Sequence, residues 1–173
     1  MITYDRKLQS GRSMIEMLGV LAIVGVLSAG GIAGYSMAMQ SHKTSELMSK
    51  VNLIAQQTRS MYDDAVYKED TTDATLGNIG GRLVAGGFMP DLESPFGGPL
   101  KVSPSTLGDV FTIETLDNVP RESCVKILLT DWGTNGTIKS ISVDGAAVTS
   151  FPADPDTASD TCNDNNLMIW TIN

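Results

Sequence analysis

Near the start of the chain the charged positions disappear. From Met17 to Met39 no residue is charged, and the run is about the length a helix needs to cross a bilayer. The helical pattern then continues in another form. Leu47, Val51, Ile54, Thr58, Met61 or Tyr62, and Ala65 recur at helical spacing, while Lys50, Gln57, Arg59 and Asp64 fall off that stripe. The pattern predicts one helix from about Ser13 to Lys68, on the order of 80 Å long at 1.5 Å per residue. Its first half is apolar all round and its second half amphipathic, so the stripe is expected to be the seam on which a globular domain packs. Asp70-Thr71-Thr72-Asp73 ends it.

Residues 74–99 read as a loop region with one short helix near Leu76–Val84. Gly80-Gly81, Gly86-Gly87 and Pro95-Phe96-Gly97-Gly98-Pro99 punctuate it. Strands are predicted at Leu100–Val102 and Val110–Leu116. Pro120 suits the first turn of a second helix, about Arg121–Asp131, with Gly133 as its stop. Ile138–Val143 and Ala146–Thr149 flank Asp144-Gly145, a strong two-residue hairpin signal, and Leu167–Ile172 reads as a last, well-buried strand. The fold class expected is α+β: a long N-terminal helix packed on an antiparallel β-sheet.

Composition sharpens this. The chain has 173 residues, 42% of them hydrophobic, which leaves room for one domain with a core once the stretch from Met14 to Met39 is set aside. Its formal net charge is −8 with no basic cluster, so nucleic acid is not an expected partner, because phosphate contacts need Lys and Arg. Two cysteines, Cys124 and Cys162, are too few for a structural zinc site, and the one histidine, His42, is distant in sequence. A disulfide is the better reading if this part of the chain is exported. Arg6, Lys7 and Arg12 precede the apolar run while Glu46 and an acidic domain follow, which by the positive-inside rule keeps the N-terminus cytoplasmic and exports what lies beyond residue 40.

Three readings of the N-terminal segment compete. It is a secretory signal peptide with small residues Ser28, Ala29 and Gly30 at a cut site, a plain single-pass anchor, or a short leader ending in Gly with a Glu five residues after the cut. Glu16 separates them. A carboxylate in hydrocarbon costs up to roughly 2.5–3.5 kcal/mol at the bilayer centre and less near its edge. A signal peptide has no use for it.

Gly11-Arg12-Ser13-Met14-Ile15-Glu16-Met17-Leu18 resembles the type IV prepilin processing site. The resemblance implies cleavage by a prepilin peptidase between Gly11 and Arg12, which leaves a mature chain of 162 residues (173 less the 11 of the leader). It implies N-methylation of the Arg12 amine, although the family usually places an apolar residue there. It also implies that Glu16 neutralises the amino terminus of a neighbouring subunit, each charge relieving the other's desolvation. The alternative is an ordinary i, i+4 pair of Arg12 with Glu16 on one helix. Gly30 and Gly34 form a small-xxx-small pair that permits close helix approach, or reflect only the frequency of glycine in membrane helices.

The order Ser94-Pro95-Phe96-Gly97-Gly98, strand, Glu122-Ser123-Cys124-Val125 on a helix, Asp144-Gly145, second cysteine and terminal strand is similar to that of type IVb pilins of the bundle-forming type. That resemblance implies that Cys124 and Cys162 form a disulfide closing a surface region rich in subunit contacts. It also implies a homopolymeric fibre, with membrane lipid, the prepilin peptidase and the inner-membrane assembly machinery as earlier partners.

Nothing in the sequence points to an enzyme. His42 has no matched Ser or Cys nucleophile, and Gly34-Tyr35-Ser36-Met37-Ala38 lacks the second glycine of a nucleophile elbow. Asp154, Asp156, Asp160 and Asp164 do not have the spacing of a calcium loop and read as a solvated acidic loop, with calcium as the other reading. Asn135-Gly136-Thr137 matches a glycosylation pattern but is first of all a turn. No cofactor and no metal are expected. The organisation expected is a leader over 1–11, a transmembrane and assembly helix over 12–40, and an exported globular domain over 41–173. The function expected is a pilus subunit, held in the inner membrane as a single-pass precursor and extracellular once assembled. The alternatives are a pseudopilin or minor pilin of a secretion machine and, more distantly, an anchored periplasmic binding domain.

Overall fold

The computed structural model describes residues 14–62, 77–105, 110–115, 119–132 and 137–173. Helix α1 (Met14–Met61) is 48 residues long, with Glu16 in its first turn and Arg59 in its last, each matching the sign that the helix dipole favours. The sequence pattern placed its end near Lys68; the helix stops at Met61, and everything from residue 63 to Asp70-Thr71-Thr72-Asp73 lies outside the described residues. The chain divides into two compact units, the first ending at Met39 and the second running from Gln40 to Asn173. In the first, every residue from Met14 to Met39 is exposed.

In the second unit α1 turns amphipathic, burying Thr44, Leu47, Val51, Ile54, Ala55 and Thr58. Three of these follow from the apolar pattern at 3.6-residue spacing, Leu47, Val51 and Ile54, and all three are fully buried. Thr44 is buried because its hydroxyl is satisfied twice, 2.8 Å from the Gln40 carbonyl and 2.8 Å from Ser123 Oγ.

Helix α2 (Gly77–Ala85) begins on a glycine with φ +75, where a Cβ would collide with the carbonyl oxygen of Val102. That close approach seats α2 on β1 (Leu100–Pro104). β2 (Phe111–Thr115) follows, then the short β3 (Val119–Pro120) and α3 (Arg121–Leu128). β4 (Ile138–Val143) and β5 (Ala146–Val148) form the hairpin that Asp144-Gly145 announces; Asp144 has φ 50 and Gly145 φ 91, the two left-handed positions such a turn needs. Helix α4 (Pro155–Thr161), β6 (Asn165–Asn166) and β7 (Met168–Ile172) complete the chain.

The main sheet is antiparallel with order β1-β2-β7-β4-β5, so the last strand is the central one; β3 and β6 form a separate two-stranded ladder. Its inner face carries alternate residues. Trp170 of β7 lies opposite Ile113 of β2 and Ile141 of β4, and all three are fully buried. Met168 and Ile172 flank Trp170 on the same face, and Thr115 Oγ1 locks the start of β7 by donating to the Met168 carbonyl and accepting from its N–H. One hydrophobic core joins these strands to the buried stripe of α1, to Ile79 and Leu83 of α2 and to Ile127 and Leu128 of α3. The architecture is therefore α+β, a long N-terminal helix on an antiparallel sheet.

Because Trp170 is the largest fully buried side chain on the central strand, Trp170→Ala should cost about 3–5 kcal/mol of stability. Leu53, 42% exposed on α1, should lose no more than about 0.5 kcal/mol on replacement by alanine. Urea midpoints of the full chain in detergent compare the two; equal effects would contradict this core.

Candidate functional site

Two regions carry the candidate chemistry, and they are built differently. The first is the apolar half of α1. Its described residues include thirteen aliphatic side chains between Met14 and Met39, among them Ile15 at 78% and Val26 at 74% exposure, and polar side chains only at Glu16, Ser28, Tyr35 and Ser36. By length and composition this helix suffices to cross a membrane. Glu16 is exposed in its first turn, where the free N–H groups of the helix end favour a carboxylate. Gly11 and Arg12 lie outside the described residues.

The second region is closed by a disulfide between Cys124 and Cys162, with their Cα atoms 5.9 Å apart. Cys124 sits inside α3 and Cys162 is the C-cap of α4, and both sulfurs are buried. Arg121 Nη2 adds a second tie between these helices, donating to the Ser159 carbonyl at 3.1 Å and to Ser159 Oγ at 3.2 Å.

The acidic stretch expected to be a solvated loop is exposed at Asp154, Asp156, Asp160 and Asp164, but its middle is helical: Asp156 and Asp160 lie in α4 and Asp164 follows it. Asp154 caps it, its Oδ2 accepting from the N–H groups of Asp156 and Thr157, and Pro155 occupies the first turn. The signal was present in Asp154-Pro155, an N-cap residue followed by a proline, but a helix of seven residues has too few turns to show an apolar stripe. Pro120 is likewise not inside the first turn of α3; it is the N-cap residue, and it pairs with Asn165 in the β3–β6 ladder. α3 ends at Leu128 with Leu129 as its cap, short of Asp131, and Gly133 lies outside the described residues. Asn166 ties that ladder together. Fully buried, it donates to the Val119 and Asn163 carbonyls and accepts from the Asn163 N–H.

A third feature escaped the sequence pattern. Lys50, off the buried stripe of α1, reaches the segment after α2, donating to Asp91 Oδ1 at 3.0 Å and to the Glu93 carbonyl at 2.8 Å. The Lys50 ammonium, together with the Glu93 N–H, holds the Asp91 carboxyl below its ordinary range. Arg59 similarly fixes the end of the sheet, its Nε donating to the Asn173 carbonyl at 2.8 Å and Nη2 to the same oxygen.

An N-terminal helix packed on an antiparallel sheet in an α+β unit is a fold shared with a type IVb pilin. A crystal structure of a type IVb pilin from Salmonella typhi superposes with a TM-score of 0.57, covering 75% of this chain and 99% of that one at 21% identity. The chain belongs to the PilS N terminal family, whose pattern matches residues 41–173. Among curated proteins it is similar to the major structural subunit of bundle-forming pilus of Escherichia coli O127:H6 (strain E2348/69 / EPEC). The two are 26% identical over 165 residues, 89% of this chain and 82% of the relative. The protein of the same description from Escherichia coli O111:H- is 25% identical over the same shares.

The bridge between Cys124 and Cys162, 38 residues apart, should restrict the unfolded chain by about 4 kcal/mol. Replacing both cysteines by alanine should therefore lower the urea midpoint of the purified full chain by more than any exposed substitution does. Thiol titration of the unfolded wild-type protein should find no free thiol; two would contradict the bridge.

Proposed function

We propose that this chain is the structural subunit of a type IVb-like pilus, polymerised through its N-terminal helix. One observation carries the proposal. From Met14 to Met39 the helix exposes aliphatic side chains on every face, while the same helix from Thr44 to Thr58 is seated in a folded domain. A helix apolar all round needs a surrounding without water, and a bilayer or a bundle of like helices supplies one. Membership of the PilS N terminal family and similarity to subunits named for a bundle-forming pilus support the second of these as the final state.

On this proposal the leader is removed after Gly11 by a prepilin peptidase. The apolar half of α1 holds the mature subunit in the inner membrane, and the assembly machinery then extracts it into the fibre outside the cell. Buried apolar area supplies most of the association energy. Glu16 supplies register, its carboxylate meeting the Arg12 amine of a neighbour inside the bundle. Lipid is thus a temporary partner and a second copy the permanent one. A pseudopilin of a secretion machine would share the cleavage, the membrane anchoring and the helix packing but would not build abundant surface fibres.

Glu16→Ala tests the pairing. An i, i+4 pair on one helix is worth a few tenths of a kcal/mol, and its loss would leave fibres at wild-type yield. A neighbour's amine left unpaired within the bundle costs several kcal/mol. Glu16→Ala subunits should therefore be cut and inserted normally yet fail to appear in sheared fibres, measured as fibre yield against membrane-held mature subunit. Wild-type yield would overturn the intersubunit role of Glu16.

A further inference from the structure

The segment after α2 frames an open groove of about 410 Å³. Val84, Pro90, Leu92 and Pro99 give it apolar walls, and Asp91 and Glu93 line it with carboxylates. Its backbone is well tied. Glu93 and Pro99 form a bridge, Leu100 N–H donates to the Leu92 carbonyl at 2.6 Å, and Lys50 pins both Asp91 and the Glu93 carbonyl to α1. These ties use the Asp91 carboxylate and leave that of Glu93 exposed, with no hydrogen bond or ion pair to any described residue. An unpaired anion on a tied backbone beside apolar walls suits a lysine, whose stem covers apolar surface while its ammonium meets the charge.

Cations are scarce in a chain of net charge −8. Among the described residues of the globular unit, Lys50, Arg59, Arg82, Arg121 and Lys126 have hydrogen-bond partners, and Lys101 faces Glu114 across the sheet. Lys43 is half-buried on α1. Lys139 is exposed and without a partner among the described residues. It stands where β4 slips register against β7: Ile138 pairs with Ile172 and Ser140 with Thr171, leaving Lys139 unmatched. Such an extra residue bends the strand and re-aims its side chain.

The two features cannot meet within one chain. The groove borders β1 at one edge of the sheet, and β4 lies three strands away, about 14 Å at the usual strand spacing and beyond the reach of a lysine. A contact between different patches of identical subunits is heterologous, and it propagates into a ring or an open filament.

We propose that the groove beside Glu93 receives Lys139 of the next copy along the fibre. This rests on the fibre reading above, and the fibre yield of the wild-type chain tests that reading separately. Like charges facing each other across a contact repel. Glu93→Lys and Lys139→Glu should therefore each lower the ratio of sheared fibre to membrane-held mature subunit by about tenfold or more. The double reversal Glu93→Lys with Lys139→Glu should restore it. Where a reversal lowers the subunit level itself, Glu93→Gln and Lys139→Gln read the same contact: each reduces the ratio, and the pair together is no worse than either alone. Wild-type ratios for both single reversals, or a double reversal that fails to recover, would overturn the proposal. So would variants that build normal fibres and lose only their side-by-side bundling, since the contact would then lie between fibres.

Discussion

Water is the constraint around which this molecule is arranged. Thirteen aliphatic side chains between Met14 and Met39 are exposed on α1, and each is worth about 1.5–3 kcal/mol when removed from water. The total is on the order of tens of kcal/mol, larger than the roughly 5–15 kcal/mol that stabilises a typical folded domain. No rearrangement of side chains within the helix hides this surface, because it extends to every face. The surface must be covered from outside, and a bilayer or a bundle of like helices would each cover it. The globular unit then has one demand placed on it, which is to stay folded whichever environment covers its own helix.

The second unit meets that demand by enclosing the far half of the same helix. Leu47, Val51 and Ile54 belong to the core that contains Trp170, Phe111 and Ile113, so α1 from Thr44 to Thr58 is packed into the same core as the sheet. The chain's last strand is the centre of that sheet, which makes closure of the domain depend on residues far apart in sequence, Phe111 with Ile172 and Ile138 with Ile172. The disulfide works in the same direction. It joins α3 to α4 and so shortens the free chain around the β4–β5 hairpin.

Much of this was legible along the sequence where the pattern is local. The stripe of α1, the hairpin at Asp144-Gly145 and the well-buried last strand all follow from spacing, from an apolar run or from a turn that demands particular residues. The strand order was not legible, since nothing at Met168 announces that it will lie between β2 and β4. α4 was hidden in an acidic stretch whose one clear sign was Asp154-Pro155, and the Val119–Pro120 ladder with Asn165–Asn166 is too short to have a period. The candidate site divides the same way. Glu16 stands out because a lone carboxylate at the edge of an apolar run is costly, and no hydrogen-bond or ion-pair partner for it lies among the described residues. The groove beside Glu93 depends on Lys50 arriving from α1, 43 residues earlier, and no local pattern encodes that meeting.

The claim that the apolar half of α1 forms a fibre core is tested most directly by imaging the fibre. Fibres sheared from cells that make this chain would be reconstructed by electron cryomicroscopy to a resolution that traces side chains. The expected map has residues 14–39 of successive copies packed against one another at the axis, closed to solvent, with the globular units of residues 40–173 outside. A map with those residues on the fibre surface, or an absence of fibres while mature subunit accumulates in the membrane, would contradict it.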